Sequence, residues 1–293
     1  MACAFLDAGI DVICDKPLTT TLDDALDLVR RARASGLVFG VTHAFAAYAM
    51  VRQARAMIRR GMIGRIRQIH VEYLQEFLIQ PDAEKGKQFA WRTDPVRSGP
   101  STTTGDIGTH AWHMARFVSG LEMTRLRAEF HTCGRPIPME DTCFMHTRWA
   151  GDVPGTLLVS QVACGEAGGL RFRIFGDDGS LAWDQEFPEQ LRWARVAQPL
   201  QVITRGASAG ILPEAQRYVT LPRGHGEAWL EAWANLYTEL GVAVLARREG
   251  REVPAGLLEY PTVEDGARGI KVVDAAVRSN ADGGSWQDCT LAL

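Results

Sequence analysis

The sequence predicts an α/β segment followed by a larger α+β domain. Residues 1–43 alternate helix, strand, helix and strand, which is the order typical of a parallel sheet flanked by helices. After residue 43, strand patterns follow one another with few helices between them, and this indicates a largely antiparallel sheet. We therefore expect two units, residues 1–43 and 44–293, with the C-terminal helices packing back toward the first unit.

The first unit opens with helical spacing in ACAFLDAG and a strand pattern in IDVICDKP. A second helix is predicted from Thr20 to Ser35, because its apolar residues share one face and Gly36 supplies a stop. The apolar run LVFGVTH then predicts a second buried strand.

The second unit starts with a helix from about Ala49 to Arg60, ended by Gly61. Alternation of apolar and polar residues then predicts strands in IRQIHVEYLQEFL, RLRAEFHTC, DTCFMHTRWA, TLLVSQVAC, LRFRIFGD, GSLAWDQE and EQLRWARV. Two helices close the chain, and Thr262 is the expected N-cap of the second. Residues 80–104 form a long irregular stretch, which makes them a candidate functional loop.

Composition excludes several classes of function. The 293 residues carry 32 basic and 35 acidic side chains, a net charge of -3, without the basic patch that nucleic-acid binding requires. No apolar run reaches the roughly 20 residues that span a bilayer, and the six scattered cysteines predict reduced thiols and a cytoplasmic location. One local group of arginines is interpreted as a solvated helix face: Arg52, Arg55, Arg59, Arg60, Arg65 and Arg67.

The segment TTTGDIGTHAWHMARFVSG places a carboxylate and two imidazoles at helical spacing. Asp106 and His110 are four residues apart, and His113 falls on the same side of a helix. A carboxylate beside an imidazole fixes its tautomer and raises its basicity, which suits a general base. Two alternatives stay open: Asp106 caps the helix while His110 is a core histidine, or the three side chains bind a metal. Three ligands on one turn lack a fourth, so we predict no metal.

The segment VICDKPL places Asp15, Lys16 and Pro17 directly after a buried strand. Taken alone, Lys16 is a surface lysine. Together with Asp106-x-x-x-His110 and the closing PTVEDGARGIKVVDAAVRS, however, the sequence resembles the Gfo/Idh/MocA oxidoreductases over nearly its whole length. The family's Glu-Lys-Pro motif is Asp15-Lys16-Pro17 here, one methylene shorter at the acid.

The resemblance implies the C-terminal portion of a Rossmann-type sheet, an NAD or NADP cofactor, and a sugar, inositol or related polyol as substrate. It implies that Lys16 lies between nicotinamide ribose and substrate, on a loop shaped by Asp15 and Pro17. His110 would take the hydroxyl proton, and Asp106 would orient His110 and bind substrate together with His113. Trp91 and Arg92 match a pair that approaches the cofactor. A homo-oligomer, dimer or tetramer, through the antiparallel sheet is also implied.

One departure concerns the phosphate site. None of the 29 glycines forms the G-x-G-x-x-G turn, and the nearest segment, GHGEAW, has tryptophan at the last position. We expect that about ninety residues of a dinucleotide domain precede this segment in such enzymes. The alanines of THAFAAYAMVR further suggest lost substrate contacts. Two rival functions follow: a catalytically incomplete remnant that serves as a binding or oligomerisation module, and a redox-assisted glycosidase or lyase of the same superfamily.

Overall fold

A computed structural model describes residues 1–80, 86–206, 209–254 and 256–293. In these residues a two-stranded parallel sheet adjoins a nine-stranded sheet in which all neighbouring strands but one pair are antiparallel. This arrangement confirms the predicted fold class.

The two-stranded sheet is built by the α-β-α-β order predicted for residues 1–43. Thr21 caps the second helix by accepting the backbone N–H of Asp24 at 3.2 Å, and Gly36 ends that helix at φ 64°. Val12 pairs with Phe39 in a parallel register, so both strands end at the same edge. The elements are α1 (Ala2–Asp7), β1 (Val12–Cys14), α2 (Leu22–Ser35) and β2 (Phe39–Val41).

The large sheet has the order β10-β9-β8-β7-β3-β6-β5-β4-β11. Its strands are β3 (Ile66–Leu74), β4 (Met123–His131), β5 (Thr142–Trp149), β6 (Val153–Ser160), β7 (Gly169–Gly176), β8 (Gly179–Asp184), β9 (Gln190–Arg195), β10 (Gln201–Thr204) and β11 (Gln287–Asp288). The seven predicted strands are present, while the short edge strands β10 and β11 were not predicted. Which neighbours are parallel was not predicted: the sheet was expected to be largely antiparallel, and β3 and β6 are its parallel pair among the described strands.

The helices of the second unit are α3 (Ala49–Arg59), α4 (Lys87–Arg92), α5 (Pro95–Ser98), α6 (Thr109–Ser119), α7 (Pro213–Gln216), α8 (Trp229–Arg248) and α9 (Val263–Ala281). Thr262 caps α9, as predicted. The stretch 80–104 is less irregular than expected, since it contains α4 and α5; its residues 81–85 lie outside the described residues. No helix in the described part of the chain has the length and apolar character needed to cross a membrane.

Helices α3, α6 and α9 cover one face of the large sheet, and the hydrophobic core lies between these helices and the sheet. Trp112 of α6 belongs to this core, as do the strand residues Met145 and Phe172. Helix α9 also packs against α2 and β2, which joins the two sheets. The other face of the large sheet is open, and Phe144 there is 49% exposed.

The interpretation of the arginine group as a solvated face is wrong for Arg52. Its side chain is only 1% exposed and pairs with Glu239 at 3.1 Å and Glu259 at 3.0 Å. The guanidinium also stacks between the rings of Phe117 and Tyr218, at 4.8 and 4.5 Å from their centroids. We call Arg52 with these four partners the Arg52 cluster. The sequence pattern did not predict the burial of Arg52, because its acidic partners are about 190 and 210 residues away along the chain.

Candidate active site

The loop after β1 is fastened to the end of β2. Asp15 Oδ1 accepts the backbone N–H of Lys16 at 2.9 Å and the hydroxyl of Thr42, the residue that follows β2. The Lys16-Pro17 peptide bond is cis. Because β1 and β2 are parallel, these residues share the carboxyl edge of the sheet, where ligands bind in open α/β folds.

A π-helical turn, Thr104–Gly108, precedes α6 and carries Asp106. Such turns recur at functional sites. The buried carboxylate of Glu140 accepts the backbone N–H groups of Thr102 at 3.3 Å and Thr104 at 2.9 Å. Burial raises the pKa of Glu140 despite these hydrogen bonds. The cap of this helix is therefore Glu140, and Asp106 is left for other contacts.

Lys16 and Asp106 form an ion pair between the two units of the chain. Lys16 Nζ lies 2.6 Å from Asp106 Oδ1 and 2.9 Å from the backbone oxygen of the same residue. The two side chains are 14% and 12% exposed. Burial opposes ionisation of Asp106, but the charges of Lys16 and Arg92 outweigh it and lower its pKa. Asp106 is thus ionised at neutral pH.

The second carboxylate oxygen of Asp106 faces the large sheet. Gln161 Nε2 donates to Asp106 Oδ2 at 3.0 Å, and Arg92 Nε lies 3.4 Å from the same oxygen. Arg92 ends α4, and its guanidinium stacks 5.4 Å from the ring of Trp91. Trp91 donates its indole N–H to Gln88 at 3.3 Å. Arg92 therefore contacts Asp106, and the ring of Trp91 packs against the guanidinium of Arg92.

His110 lies beside this ion pair without the hydrogen bond to Asp106 that the spacing predicts. Its Nδ1 is buried and has no hydrogen-bond partner among the described residues. The π-helical turn offers a reason, since an extra residue per turn moves Asp106 out of line with His110. The ring packs edge-on against Phe45 at 4.9 Å and against His43 at 5.4 Å.

Electrostatics keep the imidazole of His110 neutral. Burial lowers its pKa well below the usual value, and the positive charge of Lys16 lowers it further. The site thus combines two cations, Lys16 and Arg92, with one carboxylate and a neutral imidazole. Such a site stabilises negative charge developing on an oxygen atom and leaves a proton acceptor next to it.

His113 is not brought together with the ion pair. It stacks on His43 at 4.3 Å with an interplanar angle of 7°, and it borders a separate cavity of about 340 Å³ with Arg116 and Asp265. The described residues contain no group of three or more His, Cys, Asp or Glu side chains that could hold a metal ion.

Sequence reasoning missed a polar chain that reaches the site from the sheet. Gln161 Nε2 donates to Gln75 Oε1 at 3.2 Å, and Gln75 Nε2 donates to the hydroxyl of Tyr73 at 3.1 Å. Tyr73 lies near the end of β3, Gln75 directly follows that strand, and Gln161 directly follows β6. A parallel pairing of β3 with β6 would have predicted this meeting, because parallel strands end at the same edge.

Two family models match the sequence. Residues 1–43 match an oxidoreductase family with an NAD-binding Rossmann fold, and residues 51–182 match the GFO/IDH/MocA C-terminal domain. An uncharacterized oxidoreductase of Bacillus subtilis, YfiI, is 32% identical over 292 residues, covering 97% of this chain and 72% of that protein. The chain belongs to the Gfo/Idh/MocA family of oxidoreductases.

Two further proteins that are similar to this chain have a ligand or substrate in their names. An inositol dehydrogenase homolog from Azotobacter vinelandii, complexed with NADH and myo-inositol, has a TM-score of 0.88 and 34% identity, covering 98% of this chain and 74% of that chain. Levoglucosan dehydrogenase of Pseudarthrobacter phenanthrenivorans is 24% identical over 311 residues, covering 98% of this chain and 76% of that protein. The resemblance predicted from the sequence is therefore confirmed at the level of family and fold.

Proposed function

We propose that this chain forms the substrate side of an NAD(P)-dependent dehydrogenase that oxidises a hydroxyl group of a sugar, inositol or related polyol. The observation that carries the proposal is the Lys16–Asp106 ion pair beside the neutral ring of His110. The myo-inositol complex of the Azotobacter homolog supports the substrate class.

The residues fit the nicotinamide end of the cofactor. An ammonium group has three N–H donors, and Asp106 accepts two from Lys16. Within residues 1–80, 86–206, 209–254 and 256–293, one donor therefore remains for a ligand oxygen. Arg92 Nε and His110 Nδ1 are buried polar atoms without a hydrogen-bond partner among the described residues. Lys16 lies at the carboxyl edge of β1 and β2, where the topology expects a ligand. Arg92 is joined to it through Asp106, and His110 is near enough for the charge of Lys16 to lower its pKa.

The residues do not fit the phosphate end equally well. Pyrophosphate binding relies on backbone N–H groups of a glycine-rich turn at a helix N-terminus. No G-x-G-x-x-G segment occurs in the 293 residues. The fit to the cofactor is thus confined to Lys16 and its neighbours.

Lys16 and Arg92 would hold the nicotinamide end of the cofactor, which would supply the hydride acceptor for the substrate carbon. His110 takes the proton of the hydroxyl group on that carbon, because its imidazole is neutral and next to the ion pair. The free N–H of Lys16 donates to the same oxygen and stabilises its developing charge. Asp106 holds Lys16 in position and in its charged form.

A second candidate is a binding or oligomerisation module without catalytic activity, which the exposed apolar side chain of Phe144 on the large sheet favours. For either function we propose a cytoplasmic homo-oligomer that associates through the open face of the large sheet. Exposed Phe144 and a groove of about 820 Å³ lined by His70, Glu72 and Arg171 lie on this face. Sedimentation velocity tests the assembly, and a monomer at micromolar concentration would contradict it.

The catalytic proposal is tested by following NAD(P) reduction with myo-inositol, levoglucosan and glucose at millimolar cofactor. We expect His110→Ala to lower kcat by about a hundred- to ten-thousand-fold with little change in KM, because proton transfer occurs only in the transition state. His113→Ala is the matched control and should change kcat far less. Equal losses in the two variants contradict the assignment of His110, and absence of turnover in the wild type supports the binding module.

A further inference from the structure

Asp106 is held from the sheet side by a neutral amide. Gln161 directly follows β6 and its side chain is fully buried. Its Nε2 donates to Asp106 Oδ2 at 3.0 Å, opposite the oxygen that faces Lys16. The two oxygens of one carboxylate are thus divided between the two units of the chain.

The amide of Gln161 has only one orientation that satisfies its neighbours. Thr103 Oγ1 donates to Gln161 Oε1 at 3.0 Å, which leaves the NH₂ group for Asp106 and Gln75. The backbone is fixed as well, since Gln161 N–H donates to the Asp141 oxygen at 2.9 Å and Leu78 N–H donates to the Gln161 oxygen at 2.9 Å. A donor held this rigidly imposes a direction on its acceptor.

We propose that Gln161 is a positioning residue that turns the Asp106 carboxylate toward Lys16 and away from His110. The meaning of this role for catalysis rests on the proposed function, but its test does not. If Gln161 is replaced by an apolar residue, the contact that Asp106 Oδ2 keeps within the described part of the chain is the longer one to Arg92, at 3.4 Å. The carboxylate then gains freedom to rotate toward the imidazole.

The charged and titratable groups that face Asp106 come from four elements. They are Lys16 after β1, Arg92 in α4 and Tyr73 in β3, while α6 contributes His110, which interacts with Lys16. Gln161 differs from these groups because its amide carries no charge at any pH. It therefore supports the ionised carboxylate through a hydrogen bond without adding to the positive charge of the site.

The test is the titration of the Asp106 carboxyl carbon by NMR in the protein without cofactor or substrate, with Asp106→Asn to assign the signal. In Gln161→Leu we expect the pKa of Asp106 to rise by about one unit, because a hydrogen bond to the ionised form is lost. Gln53→Leu is the matched control. Gln53 is also buried, and its amide group bonds the backbone of Gly210 and Leu212 instead of Asp106, so this variant should leave the titration unchanged.

Gln161→Glu keeps the size of the side chain and serves if the leucine variant does not fold. Two adjacent carboxyl groups should titrate as a coupled pair, with one apparent pKa raised above the usual range of an acid. An unshifted Asp106 in folded Gln161→Leu, or an equal shift in Gln53→Leu, overturns the proposal. Where turnover is measurable, Gln161→Leu should lower kcat more than it raises KM; an inactive wild type refutes the proposed function and leaves the titration to decide on Gln161.

Discussion

Two groups of buried charge connect distant parts of this chain, and they differ in what lies at their centre. In the Arg52 cluster a cation is enclosed by two carboxylates and two aromatic rings. Around Asp106 a carboxylate is enclosed by two cations and an amide, with a neutral histidine beside it. The first joins α3 to α8 and to the segment before α9, whereas the second lies at the carboxyl edge of a parallel sheet.

Burial of an ion pair does not by itself distinguish a binding site from packing. What separates the two regions is topology and access, since Arg52 also keeps a buried Nε without a hydrogen-bond partner among the described residues. Lys16 retains one N–H after serving Asp106, and it lies where open α/β folds bind ligands. Arg52 is shut in by rings of Phe117 and Tyr218. We infer that the Arg52 cluster stabilises the fold and that the Asp106 site serves the reaction.

The largest effect on stability is expected at Arg52. Arg52→Met removes the cation from between Glu239 and Glu259 and should lower the free energy of unfolding by about 3–5 kcal/mol, as for other buried pairs that lose one partner. Urea denaturation followed by circular dichroism measures it. Arg60→Met is the control from the same arginine group, since Arg60 and Glu214 are about half exposed, and it should lose less than about 1 kcal/mol. Equal losses of unfolding free energy in Arg52→Met and Arg60→Met would contradict a special stabilising role for the Arg52 cluster.

A smaller effect is expected when Lys16 is replaced. Lys16→Met leaves Asp106 with Arg92 and Gln161, so the loss in unfolding free energy at pH 7 should be about 1–2 kcal/mol. Because the folded-state pKa of Asp106 is lowered, this contribution is complete above its ordinary value of 3.8 and disappears as pH falls through the folded value. Urea denaturation should therefore show a larger difference in unfolding free energy between wild type and Lys16→Met at pH 7 than near pH 2. A gap that is constant with pH would assign the loss to packing of the lysine stem.

Much of the fold was predictable because it rests on local signals. Thr21 and Gly36 bound α2 as capping rules expect, and alternation located the strands of the second unit. The parallel pairing of β3 with β6 was not predictable in this way, since both strands have similar patterns whichever direction their neighbour runs. That single pairing brings Gln161 beside Gln75.

The site shows the same division between local and distant information. Lys16, Asp106 and His110 were identified through their motifs, and two of them do meet. The expected Asp106–His110 hydrogen bond depended on an α-helical turn, and the π-helical turn removes that geometry. Glu140, which caps this turn, comes from between β4 and β5, too far in sequence for a capping rule to find.

The smallest effect concerns the cofactor, and it asks whether the Asp106 site binds ligand where the Arg52 cluster does not. We expect the 293-residue chain to bind NADH with a dissociation constant in the millimolar range, roughly -4 kcal/mol, because Lys16 and Arg92 contact only the nicotinamide end and no glycine-rich turn is available for the phosphates. Energy transfer from tryptophan to the reduced nicotinamide measures this dissociation constant.

Trp91 stacks on Arg92, so Trp91→Phe should remove most of the energy-transfer signal, whereas Trp286→Phe, on the far edge of the sheet, should not. Saturation at micromolar NADH would show that residues of the second unit form a phosphate site after all. No quenching at millimolar NADH would instead place this chain with binding modules, and the contrast between the two charge clusters would then be one of packing alone.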